Sequence, residues 1–251
     1  MSVISRSSPN FDERDPAVPL QFIILHYTDM LTGEAALELL CDPAAKVSAH
    51  YMVEEDGQIF QLVDERKRAW HAGQSSWRGV TNINSASIGI ELANPGHRNG
   101  YRPFPALQIT ALKALMKDII ARHNLSAELA PLGHSDIAPS RKEDPGELFP
   151  WRELAQEGLG LWPETRAEDY GHAEDGDIQQ LLRAIGYDCP ETGTYDRVTR
   201  AALLAFQRHY EPENLTGTPE QETVARLRAL VRLIQPISAK VHPSGLPPQA
   251  A

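Results

Sequence analysis

Three residues that lie far apart in the sequence have the side chains that bind a catalytic metal ion. His134 and Asp144 lie ten residues apart, and His26 follows the apolar run at residues 22–25. Two imidazoles and one carboxylate suit Zn²⁺, and three protein ligands leave the fourth tetrahedral position open for water or substrate. A structural zinc normally has four protein ligands. The three residues therefore predict one zinc ion per chain and hydrolytic chemistry.

Each of these residues also has an ordinary structural explanation. A histidine at a strand end is often only a hydrogen-bonding cap, and histidine and aspartate are frequent in loops. The loop that carries His134 and Asp144 favours the metal site, because proline and glycine reduce the backbone freedom that a metal would otherwise have to remove. These restricting residues are Pro131, Gly133, Pro139 and Pro145.

Two further side chains could take part in hydrolysis. Glu91 lies in the otherwise apolar stretch 88–92, and a carboxylate is costly to bury without a partner. A Glu91 with a raised pKa would act as general base, whereas the alternative is that strand alternation turns it toward solvent. Lys142 could stabilise the oxyanion that forms when water attacks an amide, or it could be a solvated charge beside Arg141.

The remaining histidines are weaker candidates. His71 directly follows Trp70, and the two could line a substrate groove. His50 is either a neighbour of the metal ligands or a core residue. The others are expected on the surface: His97, His123, His172, His209 and His242.

The spacing of apolar residues predicts the elements that position these side chains. Short apolar runs rich in β-forming residues predict buried strands, and two runs around an Asp-Gly pair predict a hairpin. Strands are predicted at 20–25, 48–53, 58–63 and 87–92. Three-and-four spacing predicts helices at 32–40 and 106–123, and a short helix starts near Trp151. Residues 1–160 are therefore predicted to form an α/β domain, which begins with an extended arm at residues 1–18.

The second part of the chain has a different pattern. Glycine, proline and charged residues at 161–173 predict a linker. Three helical segments follow within the region 174–233, at 177–185, 199–209 and 219–233. Residues 234–251 are rich in proline, serine and alanine and are predicted to be a disordered tail.

The composition of the chain argues against several classes of function. The chain has 24 Lys+Arg and 34 Asp+Glu, a net charge of −10, which disfavours nucleic acid as a partner. No apolar run is long enough to cross a membrane, and the N-terminus lacks the pattern of a secretory signal. Cys41 and Cys189 are expected to be free thiols. These features predict a cytoplasmic protein, although a periplasmic or secreted protein whose signal had been removed would look the same.

Five motifs occur in order between residues 20 and 152. They are Leu25-His-Tyr-Thr28, Val47-Ser-Ala-His-Tyr51, Arg68-Ala-Trp-His-Ala-Gly73, Ser87-Ile-Gly-Ile-Glu-Leu92 and Gly133-His-Ser-Asp-Ile-Ala-Pro-Ser-Arg-Lys-Glu-Asp-Pro-Gly146. Together they resemble the zinc-dependent N-acetylmuramoyl-L-alanine amidases of type 2, the AmpD/AmiD-like family. The resemblance implies an α/β fold with a mixed central β-sheet flanked by helices and followed by a small three-helix domain.

The resemblance also implies roles for individual residues. Zinc would be held by His26, His134 and Asp144, while Glu91 would be the catalytic acid/base and Lys142 the transition-state stabiliser. The groove that holds muramic acid and the first peptide residues would include Trp70, His71, Asn84 and Arg141.

Residues 174–233 resemble a peptidoglycan-binding three-helix domain. The similarity lies in the motifs Ile178-Gln-Gln-Leu-Leu-Arg-Ala-Ile-Gly-Tyr187, Thr192-Gly-Thr-Tyr-Asp196 and Thr199-Arg-Ala-Ala-Leu-Leu-Ala-Phe-Gln207. The stretch 211–217 departs from the regular Asp-Gly loop of such domains, so a purely structural helical cap is the alternative.

The predicted function is hydrolysis of the amide between N-acetylmuramic acid, in its 1,6-anhydro form, and L-alanine in peptidoglycan fragments, for cell-wall recycling. Two alternatives are an envelope or phage-type hydrolase that acts on intact peptidoglycan, and a recognition protein that binds peptidoglycan without cutting it. Recognition proteins of this fold tend to lack a zinc ligand, which favours an enzyme here. Muropeptide or peptidoglycan is the expected partner, and no protein partner is predicted.

Overall fold

The computed structural model describes residues 2–241 of the protein. The strands are β1 (Val3–Ser5), β2 (Phe11–Glu13), β3 (Phe22–Tyr27), β4 (Tyr51–Val53), β5 (Ile59–Gln61), β6 (Lys67–Ala69), β7 (Ser87–Leu92) and β8 (Pro131–Gly133). The helices are α1 (Gly33–Cys41), α2 (Ile83–Ala86), α3 (Gly96–Asn99), α4 (Ala106–His123), α5 (His134–Ile137), α6 (Trp151–Gln156), a 3₁₀ turn (Ala167–Asp169), α7 (Asp175–Ile185), α8 (Arg197–Tyr210) and α9 (Gln221–Val241). None of the helices in this described range is long and apolar enough to cross a membrane.

Six strands form a mixed sheet in the order β1-β5-β4-β7-β3-β8. The pair β4–β5 is antiparallel and is the predicted hairpin, whereas the other neighbours in this sheet are parallel. Strands β2 and β6 form a separate antiparallel pair. The predicted fold class is confirmed: a mixed central sheet is flanked by helices and followed by a helical region.

The two faces of the sheet pack against different helices. On one face, apolar side chains of β3, β4 and β7 pack against the buried stripe of α4 from Ile109 to Ile119. On the other face, Phe22, Ile24 and Leu132 belong to a cluster that includes Leu203 and Phe206 of α8. Because successive side chains of a strand point to opposite faces, His26 lies on the same face as Ile24, the side that also packs against the C-terminal helices.

Strand β7 and helix α4 lie at the predicted residues, and helix α1 is shifted by one residue from its predicted range. The predicted arm at 1–18 contains two strands. Strand β1 extends the main sheet by pairing with β5, and β2 pairs with β6 in the separate two-stranded sheet. Residues 131–133 were predicted as part of a loop but form β8 beside β3. These strands have only three residues each, and pairing with distant partners stabilises them rather than a local apolar pattern.

All three C-terminal helices are present, but the predicted tail is wrong at its start. Helix α9 continues through Pro236 to Val241, beyond the predicted end at residue 233. Ile234 is buried in the same hydrophobic cluster as Phe22 and Leu203, and Arg78 Nη1 donates to Ser238 Oγ at 3.4 Å. These tertiary contacts stabilise the segment, although Pro236 removes one helical hydrogen bond. Residues 242–251 of the predicted tail, with His242, lie outside the described residues. The domain boundaries at 160 and 174 stay predictions.

Candidate metal centre and catalytic cleft

A cavity of about 580 Å³ opens where parallel strands of the main sheet end. His26 is near the carboxyl end of β3, Glu91 is near that of β7, and His134 directly follows β8. Ligand sites in sheets with parallel strands form at such carboxyl ends. The fold therefore brings together residues that are more than a hundred positions apart in sequence.

Three buried ligand atoms face one another at the base of the cavity. Nδ1 of His26, Nδ1 of His134 and Oδ2 of Asp144 are each 3.0 Å from the other two. Tetrahedral zinc with bonds of about 2.0–2.2 Å places its ligands about 3.3 Å apart. Among the described residues, this group has the composition and spacing of a metal site.

Hydrogen bonds fix which nitrogen of His26 faces the other ligands. Ser87 Oγ donates to the carbonyl of Ile83 at 2.6 Å, so it can accept from Nε2 of His71 at 3.3 Å. Nδ1 of His71 is then the acceptor for Nε2–H of His26, at 3.1 Å. This chain leaves Nδ1 of His26 with its lone pair directed at His134 and Asp144, as a metal ligand requires.

The second imidazole is oriented in the same way. Nε2–H of His134 donates to the backbone carbonyl of Ala72 at 3.2 Å, which leaves Nδ1 for a metal. Burial and the neighbouring His134 lower the pKa of His26 to about 4, so His26 is neutral at pH 7. Burial alone would raise the pKa of Asp144, but the two histidines outweigh it and lower that pKa, so the carboxylate is ionised.

Gly89 explains how His71 reaches this position. A Cβ atom at Gly89 would lie 2.5 Å from Cγ of the His71 ring. Nδ1 of His50, a buried core residue, accepts from the backbone N–H of Gly89 at 2.9 Å and holds the strand in place. Only glycine therefore lets the His71 ring pack this closely on β7.

Glu91 lies beside His26, because the parallel register pairs these two residues across β7 and β3. Its side chain lies deep in the protein but opens to the cavity, and Oε2 is buried with no hydrogen-bond partner in the described part of the chain. Burial and the negative charge of Asp144 raise the pKa of Glu91 well above its usual value. A raised pKa makes the Glu91 carboxylate a stronger base than an ordinary glutamate, which suits a general acid/base.

The other predicted site residues occupy different positions. Trp70, His71, Arg141 and Lys142 line the cavity. Arg141 Nη2 also donates to the carbonyls of Ala72 and Gln74, at 2.9 and 2.6 Å. Asn84 is not among the lining residues.

Asn84 instead supports the segment that carries His71. Its Oδ1 accepts from the backbone N–H groups of His71 and Ala72, at 3.1 and 2.8 Å. Through Ala72 this support extends to His134, whose Nε2–H bonds to the same residue's carbonyl.

The C-terminal helices take part in the cleft, which the sequence analysis missed. One face of α8 lines the cavity through Arg197, Arg200, Ala201, Leu204 and Arg208. The three-and-four spacing of these residues was visible in the sequence, but nothing local indicated that this face meets the sheet.

The prediction that His209 is on the surface was wrong. His209 is 3% exposed, it stacks between Trp151 and Tyr210, and its Nδ1 is 2.8 Å from Oδ2 of Asp136. In the sequence, His209 follows the charged Arg208, which is typical of an exposed helix position. Its hydrogen-bond partner Asp136 is 73 residues away and is not visible in the local sequence.

Comparison with known proteins identifies the class of this fold and site. The family model for N-acetylmuramoyl-L-alanine amidases matches residues 16–147, and a second model, for a peptidoglycan binding domain, matches residues 172–227. The chain belongs to the N-acetylmuramoyl-L-alanine amidase family and is an enzyme of that type.

Particular relatives agree with this. The chain is 39% identical over 232 residues to N-acetylmuramoyl-L-alanine amidase AmiD of Escherichia coli (strain K12), which covers 84% of this chain and 82% of the relative. The structure is similar to the complex of E. coli AmiD with the substrate anhydro-N-acetylmuramic acid-L-Ala-D-gamma-Glu-L-Lys, with a TM-score of 0.75, 37% identity and coverage of 89% and 98%. It is also similar to AMPDH3 of Pseudomonas aeruginosa in complex with anhydromuramic pentapeptide, with a TM-score of 0.77, 34% identity and coverage of 91% and 96%.

Proposed function

We propose that this amidase is zinc-dependent and hydrolyses the bond between 1,6-anhydro-N-acetylmuramic acid and L-alanine in peptidoglycan fragments, as a step of cell-wall recycling. The observation that carries the proposal is the set of three ligand atoms at 3.0 Å from one another beside Glu91. Two amidases of similar fold have structures in complex with anhydromuramic peptides. This supports the anhydro form as the substrate.

The residues of the centre fit a zinc ion. His26, His134 and Asp144 would hold it, because hydrogen bonds to the far nitrogens leave both Nδ1 atoms free of protons and the carboxylate is ionised. When bound, zinc supplies Lewis-acid chemistry: it polarises an amide carbonyl and makes a water molecule more acidic.

The catalytic steps then fall to two side chains. Glu91 takes a proton from the attacking water and later gives it to the leaving amine of L-alanine. Its raised pKa suits both steps, since the group must be ionised in the first and protonated in the second. The ammonium of Lys142, which lines the same cavity, stabilises the oxyanion of the tetrahedral intermediate.

Mass analysis of the products from a purified anhydro-muropeptide tests this function. We expect release of the free stem peptide by the zinc-loaded enzyme, loss of release with a chelator, and recovery when zinc is added back. Glu91→Gln should lower turnover by roughly 10²–10⁴-fold while the bound zinc, measured by elemental analysis, stays at one per chain. Glu168→Gln, at an exposed position away from the cleft, is the matched control. Near-normal turnover by zinc-loaded Glu91→Gln would refute the assigned role.

A wall hydrolase is the second candidate, because residues 172–227 match a peptidoglycan binding domain. Turnover on anhydro-muropeptides and on intact sacculi separates the two roles: recycling predicts preference for the small substrate. The predicted cytoplasmic location belongs to the recycling role, and cell fractionation with an antibody against the protein tests it. A recognition protein that does not cut would leave both substrates intact.

A further inference from the structure

Helix α8 forms a wall of the catalytic cleft although it belongs to the C-terminal helices. The residues that line the cavity have the spacing of one helical face, and three of them are arginines: Arg197, Arg200 and Arg208. From Arg197 to Arg208 the helix axis rises about 16 Å, at about 1.5 Å per residue. We call this surface the arginine face of α8.

Arg208 is the most buried of the three guanidinium groups. Its side chain is 14% exposed, and Nε is buried without a hydrogen-bond partner in the described part of the chain. The Glu143 carboxylate is 3.8 Å from Nη2, too far for a hydrogen bond. A guanidinium has five donors, and a buried charge needs partners to offset its desolvation. Arg208 therefore retains donors that an anion in the cleft can use.

The other two arginines are more exposed. Arg200 Nη2 donates to the carbonyl of Thr216 at 3.2 Å, which leaves the rest of its guanidinium for other partners. Arg197 is exposed at the start of the helix. Their charges extend the positive surface away from Arg208.

The charge of the cleft differs from that of the whole chain. Six lining residues are basic: Arg98, Arg141, Lys142, Arg197, Arg200 and Arg208. Four are acidic: Asp29, Glu91, Glu143 and Asp144. In a chain of net charge −10, this cleft has a positive wall that attracts anions.

We propose that the arginine face of α8 binds the free carboxylates of the stem peptide, with Arg208 bound to the α-carboxylate of a γ-linked glutamate. This inference rests on the proposed function. A glutamate linked through its γ-carboxyl group, as in the ligand of the E. coli AmiD complex, keeps its α-carboxylate free, and it is the second residue from the bond that is cut. An extended stem of four residues spans about 13 Å, a length that the arginine face can follow.

A double-mutant cycle between the enzyme and its substrate tests this proposal. The full-length zinc-loaded protein is assayed on two anhydro-muropeptides that differ only in the glutamate, which carries the α-carboxylate in one and a carboxamide in the other. We expect wild type to prefer the carboxylate substrate by about tenfold or more in kcat/KM, as for a charge-assisted hydrogen bond. Arg208→Gln should lose this factor on the carboxylate substrate and discriminate less than about twofold between the two.

The matched control is Arg183→Gln, an exposed arginine of α7 that pairs with Glu191 away from the cleft. It should keep the wild-type preference. If Arg208→Gln does not fold, the double variant Arg197→Gln, Arg200→Gln replaces it, with an expected smaller loss of about fivefold or less on the carboxylate substrate, since exposed ion pairs contribute little.

The outcomes separate this inference from the function on which it rests. Equal losses of Arg208→Gln on both substrates, or no preference by wild type, would overturn the role of the arginine face while the amidase activity stands. If zinc-loaded wild type cuts neither substrate, the proposed function itself fails.

Discussion

Replacing Asp136 should destabilise the whole molecule, because this buried carboxylate joins the catalytic sheet to the C-terminal helices. Asp136 is 1% exposed and lies two residues after the candidate ligand His134. Its Oδ2 accepts from the backbone N–H of Gly133 at 2.7 Å and from Nδ1–H of His209 at 2.8 Å. Its Oδ1 accepts from the hydroxyl of Tyr187 at 2.7 Å.

The magnitude follows from the donors that would lose their partner. Asp136→Ala leaves three buried donors unpaired, each worth about 1–3 kcal/mol. Breaking a buried charged network costs about 3–5 kcal/mol. We expect Asp136→Ala to lower the free energy of unfolding by about this amount.

Asp136→Asn is the informative comparison. One amide oxygen can still accept from Gly133 and His209, while the NH₂ group can donate to the oxygen of Tyr187 after its hydroxyl rotates. Only the charge is lost, so a cost of about 1 kcal/mol is expected, and Tyr187→Phe should cost a similar amount.

Urea denaturation followed by two probes measures these values. Trp151 stacks on His209 with ring centroids 3.7 Å apart, and Trp77 packs edge-on against Tyr187 at 4.9 Å, so tryptophan fluorescence reports on this interface. Far-ultraviolet circular dichroism reports on the helices. We expect coincident transitions in wild type, since one hydrophobic cluster spans both parts of the chain.

Two results would refute this reasoning. One is an Asp136→Ala protein within about 1 kcal/mol of wild type. The other is an asparagine variant as unstable as the alanine variant, which would mean that the charge alone, and not the set of hydrogen bonds, stabilises the interface.

Two further predictions concern the neighbours of the candidate metal centre. Gly89→Ala should displace the His71 ring, because the new Cβ would lie 2.5 Å from Cγ of that ring. His26 then loses its hydrogen-bond partner, and zinc affinity measured by chelator competition should fall by about 10–100-fold. Unchanged affinity would contradict the role of the hydrogen bond between His26 and His71. Burial raises the pKa of Glu91 in the folded protein above the unfolded value of about 4.5. The stability that Glu91 contributes to the folded state is therefore fully present below the unfolded pKa and is lost as the pH rises through the folded pKa. Glu91→Gln should therefore match metal-free wild type in urea denaturation below pH 4 and exceed its stability at pH 8, whereas equal stability at both pH values would argue against a buried carboxylate.

Much of the centre could be predicted from sequence because its chemistry depends on residue type. Histidine, aspartate and glutamate at strand ends and in a proline-restricted loop are recognisable before any contact is known. The same holds for β7 and α4, where a long run of apolar residues with one period determines the element.

Other features depend on contacts that no local pattern contains. Strand β8 has three residues and exists because it pairs with β3, more than a hundred positions away. The hydrogen-bond chain from His26 through His71 to Ser87 requires that Gly89 lie under the ring. His209 has a polar neighbourhood in sequence but a buried partner in space.

The contact of α8 with the sheet has a consequence for the exchange of modules between amidases. Residues 161–173 look like a convenient crossover point, yet the core does not divide there. A chimera joined at that segment would leave Asp136 with the backbone N–H of Gly133 but without the hydroxyl of Tyr187 and the imidazole of His209. It would also replace the α8 side of the cleft. Recombination should succeed only with incoming modules that supply a hydroxyl and an imidazole in the places of Tyr187 and His209.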